Sequence, residues 1–162
     1  MKSKLEGHKY KVAKGFGSTQ AIVALVESNS VVLDVGCASG YTIEILRDKK
    51  NCKCYGIEPE DYSRNSALEK GFEVNSRNAE TFFNDSPVRK YDYIIFGDVL
   101  EHMASPESIL VLAKEFLNDD GSCVISLPNV VSLFARLKIF VGKFEYKETG
   151  IFDRTHLKKE SR

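Results

Sequence analysis

Short apolar runs punctuate the chain at 31–35, 53–57, 91–96 and 123–127, each ending in polar or glycine-bearing residues, as buried strands do. Between them, helices are expected over 42–47, after the small-residue turn, and over 63–70. Apolar residues form a continuous stripe of Ile109, Leu110, Leu112, Ala113, Phe116 and Leu117 in 106–117, so a helix is expected there too. Gly71 follows the second of these and supplies a helix stop, and Ser18 or Thr19 can cap a short helix over 20–26. A brief strand is expected at 72–75, and Asn118-Asp119-Asp120-Gly121 reads as a turn leading into the strand at 123–127.

Strands alternating with helices of about ten residues predict parallel pairing through helical crossovers. The fold class is therefore α/β, a Rossmann-like doubly wound, mostly parallel sheet. Residues 1–17 carry little pattern and read as an N-terminal arm, residues 18–129 as the core, and 130–162 as a helical lid or acceptor segment. Within that last part, 130–141 is apolar around most of a helical circumference and calls for burial, as a lid or against a second copy in a homodimer.

Composition narrows the partners. Lys+Arg and Asp+Glu both number 23 in the 162 residues, so no net field selects nucleic acid. No apolar run approaches the roughly 20 residues of a membrane span, and nothing at the start resembles a secretory signal. Four cysteines at 37, 52, 54 and 123 match neither a zinc ribbon nor a redox pair, which fits reduced thiols and a cytoplasmic location.

Candidate chemistry gathers where strands end. The strand at 31–35 runs into Asp34-Val35-Gly36-Cys37-Ala38-Ser39-Gly40, a small-residue turn whose glycines leave room for a ligand to approach the main chain. Glu58, followed by the stiffening Pro59, ends the next strand, where a carboxylate can accept the hydroxyls of a ribose. Asn78-Ala79-Glu80 follows the third strand, and the Asn78 amide suits an adenine edge. The fourth strand opens into Gly97-Asp98-Val99-Leu100-Glu101-His102. There Asp98, Glu101 and His102 are weak candidates for a cation, and no metal is assigned. The competing reading packs His102 against the sheet and leaves Glu101 to cap or pair.

Together these segments resemble the class I S-adenosylmethionine-dependent methyltransferases. The tail, with Leu127-Pro128-Asn129 and Gly150-Ile151-Phe152-Asp153-Arg154-Thr155-His156, is similar to the methionine biosynthesis W protein branch. The resemblance implies S-adenosyl-L-methionine as cofactor and methyl transfer to a small-molecule or sugar- or lipid-precursor oxygen or nitrogen. The turn with Asp34, Gly36, Cys37, Ala38 and Gly40 would hold its methionine end, Glu58 and Pro59 its ribose side, and Asn78, Ala79 and Glu80 its adenine side. Gly97, Asp98 and Val99 would form the floor beneath the sulfonium. For a hydroxyl acceptor, His102 is the expected base and His156 the reserve.

Two departures accompany the resemblance. Ala38 stands where the commonest pattern has glycine. The family sheet also ends in an antiparallel hairpin that this sequence does not supply after 162. The sequence thus reads as truncated, with the edge of the strand at 123–127 exposed unless the first 30 residues cover it. Two rivals follow: a non-catalytic cofactor-binding or scaffold domain working with a partner chain, and an NAD(P)-dependent oxidoreductase, whose usual Gly-x-Gly-x-x-Gly spacing is not matched.

Overall fold

A computed structural model describes residues 9–13 and 18–127. Six strands form one sheet: β1 (Lys9–Ala13), β2 (Val31–Val35), β3 (Lys53–Ile57), β4 (Glu73–Asn75), β5 (Tyr91–Gly97) and β6 (Leu117–Ser126). Their order is β1-β6-β5-β2-β3-β4, and every pairing is parallel. Such strands must be covered on both faces, and β5 shows it, with Tyr93, Ile94, Ile95 and Phe96 all buried. Helices α1 (Ser18–Leu25), α2 (Tyr41–Lys50) and α3 (Asp61–Glu69) lie on one face. Ile22 of α1, Val26 just after it and Leu46 of α2 meet Val32, Tyr93, Ile95 and Val124 of the sheet. Helices α4 (Ala79–Phe83) and α5 (Pro106–Ala113) cover the other, where Phe83, Ile109 and Ala113 pack on Leu33, Val35, Ile94 and Phe96. This is the doubly wound arrangement that the alternating pattern predicts.

Local chemistry sets the boundaries. Gly71, in the left-handed region at φ +79°, follows the last turn of α3. Its N–H reaches Leu68 O at 2.9 Å while Phe72 N–H reaches Ala67 O at 3.2 Å. That pair of bonds, with Phe72 packed on Ala67, is a Schellman ending. The expected helix over 106–117 divides: α5 stops at Ala113, a 3-10 helix spans Lys114–Phe116, and Leu117 already belongs to β6. Helix α4 was not expected, because five residues show no periodicity. It is fixed instead by Asn78, whose Oδ1 accepts from Thr81 N–H at 2.8 Å.

The turn expected at 118–121 is a bulge inside β6. Tyr91 pairs with Leu117 but Tyr93 pairs with Ser122, so the intervening β6 residues loop out of register. A Cβ on Gly121 would lie 2.9 Å from Asn118 O and 3.0 Å from Tyr91 O, which reserves that position for glycine. Asp92 anchors the bulge: one carboxylate oxygen accepts Val31 N–H at 2.8 Å and the other accepts the Asn118 amide at 2.7 Å.

At the sheet edge one expectation is corrected, and the exception allowed for another is realised within the first 30 residues. The stretch 1–17 is not patternless throughout, since Lys9–Ala13 forms β1. The outer edge of β6 is not exposed, because β1 pairs with it from Lys9↔Ser122 to Ala13↔Ser126. The sequence pattern could not show this, as parallel pairing to a distant strand leaves no local signature. The apolar segment 130–141 and the whole 130–162 unit lie outside the described residues, as does the lid or homodimer expectation that rests on them.

The α4 face depends on one aromatic cluster. Phe83, 2% exposed, meets Phe116 edge-on at 5.0 Å between ring centroids and Phe96 at 6.1 Å. Phe83→Ala should therefore lower unfolding free energy by about 3–5 kcal/mol, read from urea denaturation against the wild-type chain.

Candidate functional site

The order in which strands are added reverses between β2 and β5: β3 and β4 extend to one side, β6 and β1 to the other. The crevice beyond the carboxyl ends of two such strands is where open α/β sheets bind ligands. A cleft of about 190 Å³ opens there. Asp34, Gly36, Cys37 and Ala38 line it from β2, Gly97 and Asp98 from β5, and Ser18 and Thr19 from the start of α1.

The turn after β2 is held by its neighbour β3. Gly36 N–H and Cys37 N–H both donate to Ile57 O, at 2.8 and 3.1 Å. Ala38 N–H donates to the Glu58 carboxylate at 2.9 Å, and the second carboxylate oxygen accepts Glu60 N–H at 2.8 Å. Gly40 N–H closes the turn onto Cys37 O at 2.9 Å and starts α2. Gly36, Ala38 and Gly40 all have positive φ, at +74°, +47° and +79°. The reason for the glycines differs from the expected ligand clearance. A Cβ on Gly36 would meet Val99 Cγ2 at 2.8 Å, and one on Gly40 would meet the Phe72 ring at 2.5 Å. Protein side chains already occupy the space the glycines leave.

Acidic groups dominate the cleft. Asp34 is 4% exposed, and its pKa is pushed up to about 7, first by burial and then by the charge of Glu58. Glu58, 8% exposed, is fixed between two backbone N–H groups. Asp98 is solvent-exposed, with φ +51°. Its N–H and one carboxylate oxygen both bond the buried Ser126 hydroxyl, at 3.1 and 2.7 Å. The Cys37 thiol is pushed up by burial, with Asp34 and Glu58 adding to it, so it packs as a neutral group. It sits where a Cβ on Gly56 would be only 2.5 Å from its sulfur.

Of the residues singled out from the sequence, Asp34, Gly36, Cys37, Ala38, Gly97 and Asp98 share the cleft. Glu58 joins it through Ala38, and Val99 through Gly36. Pro59 is exposed and Glu80 half-buried, neither lining this cleft. Asn78 uses one lone pair of its amide oxygen to start α4, and Ala79 packs in the core beside Phe83. His102 is exposed on a 3-10 helix, Leu100–His102, rather than packed on the sheet, and does not line the cleft. Nor do Asp98, Glu101 and His102 converge: no group of three potential ligands able to hold a metal occurs among the described residues. His156 lies outside them. Sequence reasoning missed Ser18 and Thr19 as lining residues, treating them only as helix caps, and missed Ser126. The signal for Ser126 was its register opposite Gly97, which needs the strand pairing to be known.

The fold is that of the class I S-adenosylmethionine-dependent methyltransferases. A methyltransferase from Archaeoglobus fulgidus superposes with a TM-score of 0.59 at 20% identity, covering 86% of this chain and 58% of that one. The plantazolicin methyltransferase BpumL, solved in complex with SAH, gives 0.59 at 17% identity, covering 85% and 52%. Residues 17–149 match the model of the methionine biosynthesis protein MetW, and the chain belongs to that family. Among curated relatives, the ubiquinone biosynthesis O-methyltransferase of Actinobacillus pleuropneumoniae is 32% identical over 120 residues, 68% of this chain and 50% of that protein. The mitochondrial enzyme of the same name from Bos taurus is 28% identical over 121 residues, 69% and 32% respectively. The chain spans half the length or less of these relatives. No helix among the described residues is long and apolar enough to cross a membrane.

Two outcomes follow from this geometry. Asp34 titrates near 3.8 when unfolded and about 7 when folded, so the native state holds its proton more firmly. Stability is then highest below the unfolded value and falls as pH rises through the folded one, by an amount on the order of a few kcal/mol. Asp34→Asn should flatten that slope in denaturation series run from pH 4 to 8. Ala38, left-handed and exposed, holds a conformation that costs a non-glycine residue about 1–2 kcal/mol. Ala38→Gly should accordingly raise or leave unchanged the melting temperature, whereas Gly40→Ala should lower it.

Proposed function

We propose that the chain is a methyltransferase domain that uses S-adenosyl-L-methionine to methylate an oxygen or nitrogen of a small-molecule acceptor. The observation that carries this reading is the glycine-bearing turn bonded to Ile57 and Glu58 at the sheet's switch point, with three carboxylates around it. The residues fit the cofactor chemically. Each Glu58 oxygen already accepts one backbone N–H and retains a lone pair for a ribose hydroxyl. Asp34 and Asp98 give the cleft an acidic character suited to the cationic methionine end. The exposed Asn78 NH₂ is placed after β4, on the side assigned to adenine.

The cofactor supplies a methyl group already activated by a positive sulfur. What remains for the protein is alignment, which contributes roughly 7–11 kcal/mol at best, and proton removal from a hydroxyl acceptor. His102, exposed on the 3-10 helix that follows Asp98 and outside the cleft itself, is the base we assign to that proton for an acceptor that extends past Asp98. Solved relatives of the same fold carry SAH, which favours the same ligand here. Asp98 at the cleft argues against the nicotinamide alternative, since a dinucleotide's pyrophosphate would face its carboxylate. A scaffold domain without turnover would bind the same cofactor and differ only in an acceptor screen.

The test is a thermal-shift and calorimetric comparison of S-adenosylmethionine, S-adenosylhomocysteine, NAD and NADP. Stabilisation by the first two alone is expected. Glu58→Ala should weaken S-adenosylhomocysteine binding at least about tenfold, by removing charge-assisted bonds and releasing Ala38 N–H. Gly36→Val should abolish it, because the added side chain displaces Val99 and strains a positive φ. A preference for NAD, or a Glu58→Ala loss under twofold, would overturn the assignment.

A further inference from the structure

Ser126 closes β6 opposite Gly97, the last residue of β5, and is only 2% exposed. Its hydroxyl makes a reciprocal pair of bonds with the next residue, Asp98. It accepts the Asp98 N–H at 3.1 Å and donates to Asp98 Oδ1 at 2.7 Å. Ser126 O lies 3.3 Å from the same N–H. Asp98 is thereby held at φ +51°, a left-handed conformation that costs an L-residue about 1–2 kcal/mol, although aspartate tolerates it better than most. Strain of this kind, at the rim of the cleft and satisfied by a buried group on the neighbouring strand, is the mark of a side chain whose direction matters. A serine needed only for packing would not have to bond both the main-chain N–H and the carboxylate of one exposed residue.

We propose that Ser126 is a positioning residue: by occupying Asp98 Oδ1 and the Asp98 N–H, it presents the other carboxylate oxygen to the ammonium group of an amino-acid-bearing ligand in the cleft. The inference rests on the proposed function and adds to it a residue and a chemical target. A tied carboxylate has lost its rotational freedom before the ligand arrives, so the charge-assisted bond forms at smaller entropic cost. The target is the amino-acid end of the ligand, since the cleft joins Asp98 to Asp34 and to the Gly36 turn assigned to that end.

Two probes separate this role from a structural one. S-adenosylhomocysteine carries the amino-acid end, and 5′-methylthioadenosine keeps the adenosine and sulfur without it. Binding of both would be measured by calorimetry to the full chain and to Ser126→Ala, Ser126→Thr and Asp98→Asn. Ser126→Ala should weaken S-adenosylhomocysteine about tenfold and leave 5′-methylthioadenosine within about twofold, while Ser126→Thr, which keeps the hydroxyl, stays near wild type. Asp98→Asn retains an oxygen to accept from Ser126 but loses the charge, so it should show the same selective loss even if Ser126→Ala folds poorly. Equal weakening of both probes, no weakening of either, or a Thr variant as impaired as Ala would overturn the positioning role. Failure of the wild-type chain to bind S-adenosylhomocysteine would instead remove the proposed function, and the role of Ser126 with it.

Discussion

Three consecutive N–H groups at the end of β2 are satisfied by the end of β3: Gly36 and Cys37 by the Ile57 carbonyl, Ala38 by the Glu58 carboxylate. Buried main-chain donors without partners cost about as much as a lost hydrogen bond, so the turn cannot take this shape unless β3 stands beside it. The rest of the site follows from that docking. It curls the chain so that Gly40 can begin α2, brings Cys37 sulfur against Gly56, and buries Asp34 close enough to Glu58 to raise its pKa. One carboxylate thus acts as a structural tie, and this is compatible with the ligand role proposed for it because each oxygen has two lone pairs.

Residues on opposite sides of the switch point are fastened by unlike means. On the β2 side, main-chain donors and glycines do the work, and Val99 and Phe72 fill the space where side chains would otherwise be. On the β5 side a single serine hydroxyl holds one aspartate. The first arrangement sets the shape of the cleft; the second sets the direction of a charge within it.

How much of this was legible in the sequence depended on how local each signal was. The strands at 31–35 and 53–57 were readable to the residue, because a buried parallel strand is a compact apolar run. Gly71 announced the end of α3 for the same reason: its left-handed φ is a property of one position. The turn residues Asp34 to Gly40 and the acid at 58 were legible as a spacing. What escaped was relational. Helix α4 is too short to have a period, and β6 absorbs its turn as a bulge that only the pairing with Tyr91 and Tyr93 reveals. Ser126 looked like one polar residue in an apolar run, and His102, read as facing the sheet or the crevice, is instead exposed on a tight turn.

β1 has a bearing on how the molecule is made. Its five residues leave the ribosome before any other part of the sheet, yet their hydrogen-bonding partners are Ser122 to Ser126, nearly the whole described chain away. Loop closure over such a distance is entropically costly, and parallel pairing of this kind slows folding. During synthesis the strand must wait, its backbone bonded only to water, while β2 to β5 assemble beside the growing chain. Among the described strands, the first to be synthesised is therefore among the last to be ordered, and the last of them to emerge is its template.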